Sequence, residues 1–270
     1  MNKTLNLSKI KTSLDDDNNA IYNLDDICLN NLIGQNLKIE FHNEINCVAC
    51  GVVTKKSFSQ GYCFPCMRRL PECDMCILKP EKCHYAEGTC RDPSWGETHC
   101  MKTHIVYLSN TGNTKVGITR LKNVPSRWVD QGATQALPIF AVENRLISGL
   151  VETAIKNHVA DKTNWRKMLQ GVAEPMDLYV LRDSLIADSQ DELNAIKEKY
   201  GENALEQVDG DILEINFPVI EYPTKIKSFN LDKDPIVEGQ LKGIKGQYLI
   251  FDSGVINIRK FGGYKCTLSS

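Results

Sequence analysis

Four cysteines stand in two C-x2-C pairs, Cys47 and Cys50 in CVAC and Cys63 and Cys66 in CFPC, with twelve residues between the pairs. Two intervening residues let both thiolates of a tight turn face one ion. Two such knuckles complete the closed tetrahedron of a structural zinc site and leave no position for water. Further along, Cys73, Cys76, Cys83 and Cys90 offer enough thiols for a second tetrahedron, and His84 or Cys100 is able to replace one of them. Thiolate-rich sets of this kind hold zinc or an iron–sulfur cluster. The expectation is Zn2+ at one or two structural sites, both coordinatively closed. Cys90 and Cys100 also admit a second use, as thiols of a redox sensor.

Nine of the eleven cysteines fall between Cys47 and Cys100. A reducing compartment does not sustain structural disulfides, so this clustering reads as metal binding, and Cys28 and Cys266 read as buried thiols. The start MNKTLNLSKI has no apolar stretch leading to a small-residue cleavage site, and no run approaches the roughly 20 apolar residues of a membrane span. A cytoplasmic address without a membrane partner follows as an expectation.

The elements that must position these residues are read from composition and periodicity. With 42% hydrophobic and 24% charged residues, the 270-residue chain has a globular composition and room for more than one domain. Residues 1–45 read as a frayed polar start followed by a strand over 33–41, where Leu37, Ile39 and Phe41 alternate with polar side chains. Residues 46–101 hold few large aliphatic side chains. Ordering a residue costs roughly 1.5 kcal/mol, whereas a structural zinc contributes on the order of 10 kcal/mol, so metal must organise this region. Residues 102–170 open with a hairpin, HIVYL and KVGIT around Asn110, Gly112 and Asn113, and continue with a helix over 142–159 whose apolar stripe runs from Val142 to Ile155. Residues 171–270 begin with an acidic helix capped by Ser189 and Glu192, then give short alternating strands from 236 to 268. The segments IGQNLKIEF and GQYLIFDSG echo one another and are expected to share a sheet.

Charge is uneven along the chain. Residues 101–170 carry 10 Lys+Arg against 4 Asp+Glu, while residues 171–270 carry 11 against 17. A basic block inside an acidic protein suits a face that meets a polyanion. Its hairpin has IVY at 105–107 and KVG at 115–117, followed by Arg127, by Glu152 on the helix, and by Asn164 twelve residues later. In order and spacing the segment 104–168 resembles the GIY-YIG domain of structure-specific, homing and excision-repair endonucleases. The resemblance implies a small α/β domain that binds DNA or RNA and cleaves a phosphodiester with Mg2+. Within it Tyr107 would help activate water, Glu152 would bind Mg2+, Arg127 would steady the phosphate, and Asn164 would match the family's asparagine. Ile105 stands where the first motif has glycine and Lys115 where the second has tyrosine. The lysine suits a phosphate contact, or marks a domain that binds without cutting. Lys102, Arg120, Lys122, Trp128, Lys156, Lys162, Trp165, Arg166 and Lys167 surround these positions as a backbone-tracking groove would require. The whole chain also resembles a bacterial family catalogued as a domain of unknown function.

The expected fold is thus α+β, with a zinc-ribbon region, a small GIY-YIG-like domain, and antiparallel β-structure from both terminal segments. Two functions follow: a zinc-binding, nucleic-acid-binding protein of nuclease type, or a non-enzymatic zinc-stabilised adaptor for a protein partner.

Overall fold

The computed structural model describes residues 1–159 and 164–270. Strands β1 (Asn2–Asn6), β2 (Lys11–Leu14), β3 (Ala20–Leu24) and β4 (Ile27–Cys28) lead into the long β5 (Asn36–Asn46). The cysteine-rich region follows, with β6 (Val53–Thr54) and the short helices α1 (Phe64–Arg69), α2 (Met75–Leu78) and α3 (Pro93–His99). Next come the hairpin β7 (His104–Asn110) and β8 (Thr114–Arg120), then α4 (Ser126–Asp130), β9 (Gln135–Val142) and α5 (Arg145–Lys156). The chain continues through α6 (Trp165–Leu169), α7 (Leu178–Asp188), α8 (Gln190–Tyr200), β10 (Leu205–Gln207) and β11 (Leu213–Glu214). It closes with β12 (Ile236–Lys245), β13 (Tyr248–Phe251), β14 (Gly254–Asn257) and β15 (Tyr264–Ser269).

The fold is α+β. One sheet runs β1-β15-β5-β12-β13-β14, with β6 paired to β5, and these strands pair antiparallel. Both ends of the chain therefore meet in one sheet. Apolar alternation drives this: Leu37, Ile39 and Phe41 of β5 turn inward, and Ile39 sits opposite Leu268 on one side and Val237 on the other. The echoing segments share the sheet but do not touch as neighbours, because β12 lies between β5 and β13.

The start of the chain is ordered rather than frayed. Five residues of β1 pair with β15, β2 pairs with β3, and Leu7 and Ile10 are fully buried. Two apolar side chains inserted into the core outweigh the polar run at Asp15–Asn19, which forms only the turn between β2 and β3.

A second sheet has the order β10-β9-β7-β8, with β11 also on β9. Its central strand β7 is buried on both faces. Ile105 and Tyr107 join the core of the large sheet, while Val106 and Leu108 join a core formed with α5, α7 and α8. Period-two alternation here sorts residues between two cores instead of between core and solvent.

Helix α5 starts at Asn144, whose side chain accepts from the Ile147 amide at 3.1 Å, and it buries Ile147, Val151, Ala154 and Ile155. The stripe expected from residue 142 begins only within the helix, since Val142 belongs to β9. At Ser189 the expected capping bond is not made. The hydroxyl is buried without a partner at the joint where α7 runs into α8. Among the described residues no helix is long and apolar enough to cross a membrane.

Candidate metal and phosphate sites

Strand β5 ends at Asn46 and delivers Cys47 directly into the first knuckle, where the Gly51 amide donates to the Cys47 carbonyl at 2.8 Å. The second knuckle places Cys63 just before α1 and Cys66 inside its first turn, with Pro65 at the helix start. The ligand atoms of Cys47, Cys50, Cys63 and Cys66 all lie within 4.8 Å of one another, and the Cys50 and Cys63 sulfurs are 3.8 Å apart. Zn–S bonds near 2.3 Å place tetrahedral thiolates at about that separation, so the donor set fits zinc. Burial alone would raise the Cys47 thiol, but amides of Cys63, Cys50 and Ala49 donate toward its sulfur and hold it at about 6. These donors favour the thiolate, the form that binds a metal. Cys47, Cys63 and Cys66 are buried with Tyr62 and Leu70 as a small core of their own.

The second expected set does not assemble as Cys73, Cys76, Cys83 and Cys90. Cys73 ends a short turn after α1 and lies toward Ser59 and Cys47, on the side of the first site. The other three line a separate small cavity together with Cys100. Beside it, ligand atoms of Asp74, Cys76 and His84 also fall within 4.8 Å of one another.

A larger cleft, about 620 Å3, opens between the hairpin, α4 and α5. Lys115 from β8, Arg127 from α4 and Glu152 from α5 all line it, so the structure brings these three together. Arg120, Arg145 and Lys156 add further charge, and the far segments of the chain contribute Lys9 and Arg259. Seven cationic side chains thus face two carboxylates, Asp130 and Glu152. Asp130 is committed: it pairs with Lys9 and accepts from Thr12 and Gln247 at 3.0 and 2.9 Å. Glu152 is half-buried, and burial pushes its carboxyl upward against the opposing pull of Lys156 and Lys115. A single uncommitted carboxylate is a donor set that fits Mg2+, which takes one or two carboxylates and completes its shell with water and phosphate oxygens.

Tyr107 does not line this cleft. Its ring is fully buried behind Gly117, where an added Cβ would stand 2.7 Å from both Cζ and Oη of the tyrosine. Its hydroxyl donates to Gln131 Oε1 at 2.8 Å, and Gln131 does face the cleft. Burial, opposed by nearby Arg127, lifts the phenol to about 12. The water-activating role implied by the resemblance is therefore corrected: Tyr107 stays a neutral donor that positions Gln131.

Asn164 is not brought to the cleft. It caps α6, its Oδ1 accepting from the Arg166 and Lys167 amides at 3.1 and 3.3 Å. Trp128 is buried against Tyr107 and unavailable to stack on a base. Trp165 stacks on Tyr248 at 5.5 Å, with the Arg166 guanidinium over its ring. Lys162 lies outside the described residues.

A family model described as protein of unknown function (DUF2797) matches residues 34–266. The chain belongs to that family. No curated protein and no solved structure matches it. The DUF2797 match spans the cysteine knuckles, Lys115, Arg127, Glu152 and Arg259, and leaves Lys9 outside. In this DUF2797 chain, sequence reasoning missed Gln131, Arg145, Gln60, Arg259 and Lys9. Arg145 carried a local signal, since it opens a helix one residue after an asparagine cap. Arg259 carried none: it reaches the cleft because Gln60 accepts from its Nε at 2.7 Å across 199 positions of sequence.

Proposed function

We propose that this is a zinc-stabilised, nucleic-acid-binding protein of the reducing cytoplasm whose cleft holds a phosphodiester, and that it acts as a Mg2+-dependent nuclease of GIY-YIG type. The observation that carries the reading is the convergence of Lys115, Arg127 and Glu152 in one cleft where cations outnumber carboxylates seven to two. Such an excess attracts a polyanion, and a phosphate backbone is the polyanion that a guanidinium and a lysine beside one carboxylate suit.

Zinc at Cys47, Cys50, Cys63 and Cys66 would hold the ribbon that β5 feeds. In the cleft, the Arg127 guanidinium grips a phosphate through two parallel donors, and Lys115 adds a point charge beside it. Glu152 would hold Mg2+ through a carboxylate oxygen, and the ion would supply Lewis-acid polarisation of the scissile phosphate. Tyr107 keeps Gln131 facing the reacting group, where its amide can orient a water. The test incubates branched, nicked and single-stranded DNA and RNA with the full chain and Mg2+. We expect cleavage that Glu152→Gln abolishes, with binding retained and weakened steeply by salt. Neither cleavage nor salt-sensitive binding on any substrate removes the reading.

One observation favours a non-enzymatic adaptor instead. Val48, Val52, Val53 and Phe64 on the ribbon are each about half or more exposed, as a protein-docking face would be. On that reading Glu152→Gln leaves the protein's behaviour unchanged.

A further inference from the structure

We infer that Cys76, Cys83, Cys90 and Cys100 form a second, all-thiolate metal site, and that its ion braces one wall of the cationic cleft. The four thiols come from four separate places: α2, the turn after it, the loop before α3, and the end of α3. All four line one cavity of about 10 Å3, space for a single ion. Cys76 lies within electrostatic reach of Cys83 and Cys100, and Cys100 within reach of Cys83 and Cys90.

The region has little apolar core of its own and is held by polar bonds and by its contact with α5. Met75 and Leu78 of α2 are exposed, and α2 is only four residues long. Four cysteines lining one cavity, in a stretch with little apolar core, form the donor set of a structural soft-metal site, whose ion would draw together thiols that stand further apart than those of the Cys47–Cys66 set. Asp74 and His84 are better suited to the outer shell. Asp74 pairs with Arg91 Nε at 2.6 Å and caps α2, which commits its carboxylate, while His84, bonded through Nδ1 to Thr89 Oγ1 at 2.7 Å, has Nε2 3.7 Å from Asp74 Oδ1 and is the alternative ligand that the His84→Ala variant tests.

The consequence for the cleft runs through backbone atoms of the ligands. Arg145, which lines the cleft, donates its amide to the Cys100 carbonyl at 2.9 Å. Its guanidinium donates to the carbonyls of Cys76 and Ile77 at 3.5 and 2.6 Å. Ile77, Leu78 and Pro80, between two of the ligands, form part of the same wall. An ion tying Cys76 to Cys100 therefore fixes the frame from which Arg145 projects. This holds whether the cleft cuts nucleic acid or only binds it.

The test is the metal content of the full chain purified without chelator, with Cd2+-substituted protein examined by 113Cd NMR. Expected are two metal equivalents per chain and two resonances in the range of all-sulfur coordination. Cys83→Ser, Cys90→Ser and Cys100→Ser each lower the count from two to one, while Cys73→Ser, Asp74→Asn and His84→Ala keep two. Should a serine variant not fold, the two wild-type resonances still decide. One equivalent in the wild type, a second resonance in the mixed nitrogen–sulfur range, or loss with His84→Ala but not Cys100→Ser overturns the assignment. A failed cleavage assay leaves it untouched.

Discussion

Gly149→Ala is the sharpest perturbation of the contact between the cysteine-rich region and the cleft. In an exposed helix interior this substitution stabilises by about 0.5–1 kcal/mol, because glycine has more backbone freedom to lose on folding. At Gly149 the opposite sign is expected. The added Cβ would stand on the Glu81 nitrogen, 2.6 Å from the Pro80 carbonyl carbon and 2.7 Å from Pro80 Cβ. These are mostly backbone atoms, so no side-chain tip can swing aside. The turn itself is tied down by the Cys83 amide donating to the Pro80 carbonyl at 3.0 Å and by the Arg145 bond to Ile77. Overpacking of this kind costs about 1–3 kcal/mol. With the turn held at both ends the upper part of that range applies, and subtracting the propensity gain leaves a net loss of about 2 kcal/mol. Urea unfolding should show a lower midpoint at unchanged slope. A melt should fall by about 4–8 °C, at roughly 2–4 °C per kcal/mol for a chain of this size. A midpoint equal to or above wild type would refute the close packing of the 80–82 turn on α5.

Three further outcomes follow from the same geometry. Gly117→Ala, which must displace a ring wedged against Trp128, should cost about 1–3 kcal/mol, while Tyr107→Phe, which only frees Gln131, should cost about 1 kcal/mol; paired thermal melts that reverse this order contradict the arrangement. His104 is fully buried, and burial pushes its imidazole down to about 4. The folded state therefore resists a proton that the unfolded chain accepts near pH 6.5, so its stability is full above that pH and declines by about 3 kcal/mol in total as pH falls toward 4. The difference between wild type and His104→Gln across that window isolates this component, and parallel pH curves for the two would exclude it. Removing metal with a chelator should open the ribbon around Cys47–Cys66 while β5 and its neighbours stay paired: trypsin then cuts first at Lys55, Lys56, Arg68 or Arg69, all exposed, and an unchanged digestion pattern would mean that metal does not hold this region.

Local signals carried much of the fold. The hairpin, α5, β5 and the C-terminal strands were legible because each depends on a period of 2 or 3.6 over a few residues, and their apolar faces are the ones buried. The ordered start was not legible. Its strands are short and polar, and β1 gains its place only by adding to the edge of β15, some 260 residues away. The role of Tyr107 was also closed to sequence reading, since a phenol's proton affinity depends on how completely three dimensions bury it.

Taken alone, the sequence determined which four cysteines group first, because two intervening residues allow both thiols of a turn to face one point regardless of what surrounds them. It determined likewise that Lys115 lies on a basic hairpin and Glu152 on the helix that follows, with Arg127 between them. Tertiary structure decided the rest: Cys100 in place of Cys73 around the second cavity, Lys9 and Arg259 in the cleft, Asn164 away from it, and Gly149 beneath the Pro80 turn. Each of these is a contact between segments far apart in the chain, set by how two sheets and their helices pack, and sequence spacing holds no record of such a distance.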